Sequence, residues 1–298
     1  MPVSKGIPNA ISYCRDVLNG DILQIFCQSP RSLRGPSKKN LGEIEKIKES
    51  LKKNQMKIVS HSPYTINLAK SITTHKYMMD CLVKDLEFIN KINGIGSVVH
   101  MGKSVDLSEQ DALTNMMNNI KYVLSEYKGS SKLIIETSCG QGTELLSKLE
   151  DISIFYNKGV NGVKLTKSEK SKIGFCIDTC HVFVAGYDLR TSNDVDNYFN
   201  KFNKLIGLDK LTLIHFNDSA KAFNSNVDRH ANIGEGFIGD NNKGGCIEGL
   251  QKVYEYGSKL SVPMVLETPD IFPYTNNIKN GIWTVSYTHL TLPTTPYV

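Results

Sequence analysis

No stretch of this 298-residue sequence strings together the about 18 apolar residues that a membrane-spanning helix needs, so a membrane span is not expected. The first residues, Met-Pro-Val-Ser-Lys-Gly, lack the apolar core of a secretory signal. The seven cysteines, at 14, 27, 81, 139, 176, 180 and 246, form no Cys-x-x-Cys pair and no tightly spaced framework. Disulfide scaffolding is therefore excluded, and reduced thiols in an intracellular enzyme are expected. The setting would be cytoplasmic in a prokaryote or virus-infected cell and nuclear in a eukaryote. Extreme charge is missing too. A formal net charge of +5 suits a nucleic-acid partner without requiring one. What remains is ordinary for a folded protein, 40% hydrophobic and 22% charged, and long enough to bury a large core.

Short runs rich in Ile and Val recur at 22–26, 57–61, 97–100, 132–136, 173–178, 211–216 and 262–267. Each has the length of a buried strand. Helical spacing fills the gaps, as in Met78, Met79, Leu82, Val83, Leu86 and Ile89, and again in Leu113, Met116, Met117, Ile120, Val123 and Leu124. Ser108, followed three residues later by Asp111, marks the start of the second helix as a capping box. Alternating strands and helices predict a parallel sheet. With one strand clipped at residues 1–6, the pattern reads as a single α/β domain, a (β/α)8 TIM barrel over 1–284 whose last helix is missing or degenerate. Residues 157–172 read as a polar insertion. Residues 285–298, Thr- and Pro-rich without a helical period, read as a non-native or disordered tail, and His289 is set aside with them.

Chemistry collects where these runs stop. His61, His100, Glu136, Asp178, His181, His215, Asp228, His230 and Glu267 each close an apolar run or follow one. In a barrel of this type the C-terminal strand ends carry the functional groups. A lone strand-end His is more often a hydrogen-bonded structural residue than a ligand. Successive ends occupied by imidazole or carboxylate point instead to a multinuclear metal site, because zinc takes these donors three or four to an ion. Asp228 and His230, two apart, face the same way if the chain there is extended. Cys176 shares a strand face with Asp178, yet for Cys139, Cys176 and Cys180 the small buried hydrophobe is the stronger reading.

At these residues the chain resembles the endonuclease IV family of apurinic/apyrimidinic endonucleases. The resemblance rests on His61-Ser-Pro-Tyr-Thr-Ile-Asn-Leu68, Glu136-Thr-Ser-Cys-Gly-Gln-Gly142, Cys176-Ile-Asp-Thr-Cys-His181, Leu213-Ile-His-Phe-Asn-Asp-Ser219, Asp228-Arg-His-Ala-Asn-Ile-Gly-Glu-Gly236 and Val265-Leu-Glu-Thr-Pro269. It implies a zinc-dependent enzyme that cuts double-stranded DNA 5′ to abasic sites, leaving a 3′-hydroxyl and a 5′-deoxyribose phosphate, and that trims blocked 3′ ends, acting as a monomer. Three zinc ions are implied, with manganese as an alternative occupant at some sites. His61 and His100 would hold the first, with Glu136 bridging to the second. Asp178, His215 and Glu267 would complete the second, and His181, Asp228 and His230 the third. Glu136 and Glu267 carry the catalytic assignment, Glu267 as the group that helps take up the proton of the attacking water.

The resemblance also implies that loop side chains enter the minor groove while the abasic nucleotide is flipped out, a step that costs little where stacking and pairing are already lost. Arg31, Ser32 and Arg34 match one such loop, with Leu33 where an aromatic is common. Tyr64 and Thr65 match the second wedge, Thr being smaller than the usual residue. Lys38 and Lys39 suit a DNA backbone, as does Arg229, for which a loop-steadying salt bridge is the other reading. Lys46, Lys48, Lys52, Lys53 and Lys57 fit a solvated helix face. Glycines 140, 142, 234, 236 and 239, just after ligands, either let the backbone approach DNA or supply tight turns. A metal-dependent sugar isomerase or epimerase of the same barrel type is the main alternative, against which the Asp228/His230 pair and the Arg31 loop argue. A catalytically inert DNA-damage binder is the other, disfavoured by the complete ligand set.

Overall fold

In a computed structural model that describes residues 5–269, seven strands lie parallel in chain order. They are β1 (Ile22–Phe26), β2 (Lys57–His61), β3 (Gly96–Val99), β4 (Lys132–Glu136), β5 (Ile173–Asp178), β6 (Leu211–His215) and β9 (Met264–Val265), with a short antiparallel pair, β7 (Asp218–Ser219) and β8 (His230–Ala231), rising from the loops between the last two. Ten α-helices occur among the described residues: α1 (Ile7–Asp16), α2 (Lys38–Gly42), α3 (Ile44–Asn54), α4 (Ile72–Lys91), α5 (Glu109–Glu126), α6 (Leu149–Lys158), α7 (Lys167–Ser171), α8 (Thr179–Val184), α9 (Ser192–Leu205) and α10 (Ile247–Leu260). This is the expected TIM-barrel architecture. No described helix is long and apolar enough to cross a membrane.

Side-chain alternation along a strand sorts the chain into layers. One residue from each barrel strand, Ile22, Val59, Val98, Ile134, Cys176, Leu213 and Val265, packs into a small apolar plug inside the barrel. The opposite faces join the helices. Leu23, Ile25 and Ile58 pack with Ile7, Ile11, Ile47 and Leu51 of α1 and α3. Val99, Leu133, Phe175 and Ile214 belong to the larger cluster with α4, α5, α6, α9 and α10. Each fully buried Leu, Ile or Phe in these layers contributes about 1.5–3 kcal/mol of transfer free energy.

Several expectations meet a different local answer. Lys5 and Gly6 form no strand and lead straight into α1; residues 1–4 lie outside the described ones. The stretch 157–172 is not a plain insertion. It holds the end of α6 and all of α7, the latter closed by a reciprocal capping box in which the Thr166 side chain accepts from Glu169 N and Glu169 accepts from Thr166 N. At α5 the Ser108 hydroxyl accepts from Asp111 N at 3.1 Å, half of the expected box; the Asp111 carboxylate takes that hydroxyl's hydrogen at 2.7 Å where a full box would have it accept from the Ser108 amide. The expected tail at 285–298 lies outside the described residues, as does the position of a closing helix.

Candidate metal centre

Two residues beyond each member of the apolar plug, on the same inward face, the chain places a polar group: Gln24, His61, His100, Glu136, Asp178, His215 and Glu267. Period-two alternation therefore carries six of the predicted ligands to one end of the barrel. The other three arrive from beyond the strands. His181 sits in the first turn of α8, where Asp178 is the N-cap and its Oδ1 accepts from His181 N at 2.9 Å. Asp228 and His230 come from the β7–β8 excursion.

All nine converge. Glu136 is the hub: its Oε2 lies 3.2 Å from His61 Nε2 and 3.1 Å from His100 Nε2, and its Oε1 lies 2.8 Å from His215 Nδ1. His215 Nδ1 is also 3.2 Å from Glu267 Oε2 and 3.7 Å from Asp178 Oδ2. Asp228 spans the third corner, with Oδ2 3.2 Å from His181 Nε2 and Oδ1 3.2 Å from His230 Nε2. Three groups have donor atoms mutually within 4.8 Å: His61, His100 and Glu136; Glu136, Asp178, His215 and Glu267; and Asp178, His181 and His230. Asp178 thus reaches the third group as well as the second. Asp228 falls with His230 and Cys180. The Cys180 thiol donates to the Arg229 carbonyl at 3.5 Å, which keeps it in the structural role expected of it. Cys176 lies in the apolar plug, where burial pushes its thiol up to about 12.

The imidazoles are oriented by their far nitrogens. His61 Nδ1 contacts the Ser62 carbonyl at 2.8 Å, His181 Nδ1 the Thr137 carbonyl at 2.9 Å, and His230 Nδ1 the Glu267 carbonyl at 3.0 Å. A carbonyl only accepts, so each Nδ1 carries a hydrogen and each Nε2 is the nitrogen that faces the cavity. His215 is reversed. Its Nε2–H donates to Gln24 Oε1 at 2.9 Å, which frees Nδ1 for the cluster. The same Gln24 donates through Nε2 to Glu267 Oε1 at 2.6 Å. Asn217 donates to Asp178 Oδ2 at 2.8 Å and accepts from Glu267 N at 2.7 Å.

The residues fit divalent cations on their own evidence. His181 Nε2 and His230 Nε2 are buried with no hydrogen-bond partner, although Asp228 is 3.2 Å from each. Donor atoms aimed at a common point without hydrogen-bond geometry are costly unless something fills that point. Electrostatics agree. Burial disfavours the Glu136 carboxylate, but the His215 and His100 charges outweigh it and hold its pKa well below the usual range. Burial likewise opposes a charged His181, and Asp178 and Asp228 overcome it. Beside the same two carboxylates His230 is raised to about 9.

The remaining predicted residues are not among the converging groups. Tyr64 stands 41% exposed, its ring centroid 5.4 Å from that of His61 and 5.9 Å from that of His100. Its amide donates to the Pro30 carbonyl at 3.1 Å, which ties the Tyr64–Thr65 loop to the Arg31 loop. Arg31, Arg34, Thr65 and Arg229 are exposed and Ser32 half-buried. The Arg229 guanidinium donates to the Asp228 carbonyl at 2.6 Å. Lys46, Lys52, Lys53 and Lys57 are exposed, and Lys48 pairs with Glu45 at 3.1 Å, as the solvated-face reading expects. Sequence reasoning passed over Gln24 and Asn217. Gln24 had a signal, as the one polar residue inside Ile-Leu-Gln-Ile-Phe. Asn217 had none beyond its place two residues after His215.

Comparison with known proteins follows the same lines. The family described as the xylose isomerase-like TIM barrel matches residues 18–268. A curated endonuclease 4 of Acanthamoeba polyphaga mimivirus is 32% identical over 283 residues, covering 92% of this chain and 86% of the relative. One from Clostridium beijerinckii is 33% identical over 289 residues, covering 94% and 95%. Among solved structures, endonuclease IV from Thermus thermophilus aligns with a TM-score of 0.72 at 24% identity, covering 90% of this chain and 89% of that one. A D-tagatose 3-epimerase-like protein aligns at 0.62 and 22%, covering 84% and 83%. At such identities the two structural likenesses speak for the fold.

Proposed function

The chain belongs to the endonuclease IV family, DNA-cleaving hydrolases on the xylose isomerase-like TIM barrel, and on that premise we propose that it is a zinc-dependent repair nuclease that hydrolyses the phosphodiester 5′ to abasic sites. The products are a 3′-hydroxyl and a 5′-deoxyribose phosphate, and the same chemistry trims blocked 3′ ends. It acts as a monomer on double-stranded DNA wherever the cell keeps its DNA, the cytoplasm of a prokaryote or infected cell or the nucleus of a eukaryote. The observation that carries this reading is the meeting of nine imidazole and carboxylate side chains around Glu136.

Mixed nitrogen and oxygen donors suit zinc, with manganese the alternative where carboxylates dominate. His61, His100 and Glu136 would hold one ion, Glu136, Asp178, His215 and Glu267 a second, and His181, Asp228 and His230 a third. When bound, such ions act as Lewis acids that offset the charge of the phosphoryl oxygens and bring hydrolysis within reach of neutral pH. The protein's own groups do the rest. Glu136 holds two sites at a fixed separation. Glu267, kept in place by Gln24 and by the hydrogen bond its backbone N–H donates to Asn217 Oδ1, takes up the proton of the attacking water. Arg31, Tyr64 and Thr65 fill the gap left by the extruded nucleotide, while Ser32, Arg34 and Arg229 contact phosphates. Abasic sites are selected because their extrusion sacrifices less stacking and pairing than the few kcal/mol of an intact nucleotide.

Incision of a duplex carrying one abasic site, with elemental analysis of the same preparation, tests this. Cleavage on the 5′ side with three zinc equivalents is expected. No cleavage with the cation sites full, alongside isomerisation of a sugar, would overturn it.

A further inference from the structure

The β7–β8 excursion delivers two ligands to the cluster although its two strands are only two residues long. Something besides a pair of rungs must hold it. At its base lies Asp218, fully buried and absent from the ligand set. Its Oδ2 accepts from Gly234 N at 3.1 Å, Gly236 N at 3.0 Å and Gly239 N at 3.1 Å. Its Oδ1 accepts from Ser219 N at 2.7 Å and Ile238 N at 2.9 Å. One carboxylate thus collects five main-chain amides from both sides of the ligand-bearing turn. Burial raises its pKa and the amides oppose that rise.

The surrounding glycines are shaped to this group. A Cβ at Gly236 would stand 2.4 Å from Asp218 Oδ1 and 2.4 Å from the Ser219 carbonyl. One at Gly239 would stand 2.9 Å from Oδ2. These glycines bring the backbone to a carboxylate within the protein. Asp218 also pairs with Ala231 across the β7–β8 ladder, next to His230, and directly follows Asn217, which holds Asp178 and Glu267. It therefore stands between the sheet-borne ligands and the loop-borne ones.

We propose that Asp218 is the positioning residue for the segment 228–239, its carboxylate gathering the main-chain amides that fix Asp228 and His230 at the third cation site. For what the segment carries, this rests on the cation assignment above; the anchoring geometry is independent of it. Charge-assisted bonds to amides are roughly twice as strong as neutral ones, and several acting on one segment remove its freedom to swing.

The test uses Asp218→Asn, which keeps the size and gives up one acceptor oxygen, and Gly236→Ala, which crowds the same carboxylate from the opposite side. In hydrogen exchange on chelator-stripped protein, both variants should lose protection at the Gly234, Gly236, Ile238 and Gly239 amides by at least about tenfold, with β1–β6 unchanged. In a chelator titration followed by elemental analysis, both should release one zinc at roughly tenfold lower chelator and hold the other two as the parent protein does. Unchanged protection in Asp218→Asn overturns the proposal. So does uniform weakening of all the cations, the signature of general destabilisation. If protection is lost but the parent protein never holds a third zinc, the three-cation reading fails while the anchoring role stands.

Discussion

Two parts of the candidate ligand set are built by different means, with His181 between them in the first turn of α8. His61, His100, Glu136, Asp178, His215 and Glu267 project from strand ends, and their positions follow from a sheet whose every barrel strand also contributes to the apolar plug beneath. Asp228 and His230 lie on a turn joined to the barrel by a two-residue ladder, by the amides gathered at Asp218, and by single hydrogen bonds such as Asp228 N to Gln141 Oε1 at 2.9 Å and His230 Nδ1 to the Glu267 carbonyl at 3.0 Å. A strand-borne ligand shares the stability of the core. A loop-borne group has only the stability of such scattered contacts, and regions of that kind open locally at lower free energy than the sheet does.

This contrast can be broken by substitution. The largest effect is expected for Glu136→Gln, which neutralises the carboxylate common to two of the proposed cation sites: incision should fall on the order of a thousandfold and elemental analysis should show two zinc ions weakened together. His230→Ala should remove one zinc and lower kcat by roughly a hundredfold while the other two stay bound. Equal loss of all three in that variant would mean that the two parts are not separable. For Asn217→Ala, whose amide serves both Asp178 and the Glu267 backbone, a fall of about 10- to 100-fold in zinc affinity is expected, shared by the sheet-borne sites. Arg34→Ala touches neither part. It should flatten the plot of log affinity against log salt by about 0.9 and leave kcat alone, measured on an abasic duplex.

A control outside both parts is Asp85, buried on α4, where burial pushes its pKa up to about 7 and the Gln28 amide only partly opposes it. A folded-state pKa above the unfolded one means stability that is full below about pH 4 and is lost as pH rises through 7. Asp85→Asn should remove that slope in denaturant titrations at several pH values, with no change in incision.

What was legible in the sequence maps onto the same division. The strand runs, read from Ile and Val density, coincide with β1, β2, β4 and β5 residue for residue, and each is a local signal. Every candidate ligand could be named because it ends such a run or carries an unusual residue type soon after one. The register of the ligands two places beyond the plug was equally local, and Gln24 was overlooked only because an amide is not a ligand. Less was legible where long-range contacts decide. Nothing within Asn217-Asp-Ser219 announces that Asp218 gathers amides from residues up to 21 positions away, since those bonds exist only after the turn has folded back. The short α7 in the 157–172 stretch was hidden because five polar residues have no apolar period to display, and only its cap, Thr166 with Glu169, marks it.

Gln24 reaches Glu267 across 243 positions of chain. Among the described residues it belongs to the first barrel strand, and its partner stands two positions after the last. A nascent polypeptide still short of Glu267 can stack its early β/α units, but His215 has no completed acid opposite it and the ring of donors stands open on one side. Bringing such distant partners together is the slow part of folding for a chain of this topology. The nuclease cavity is therefore completed only when synthesis has passed Glu267.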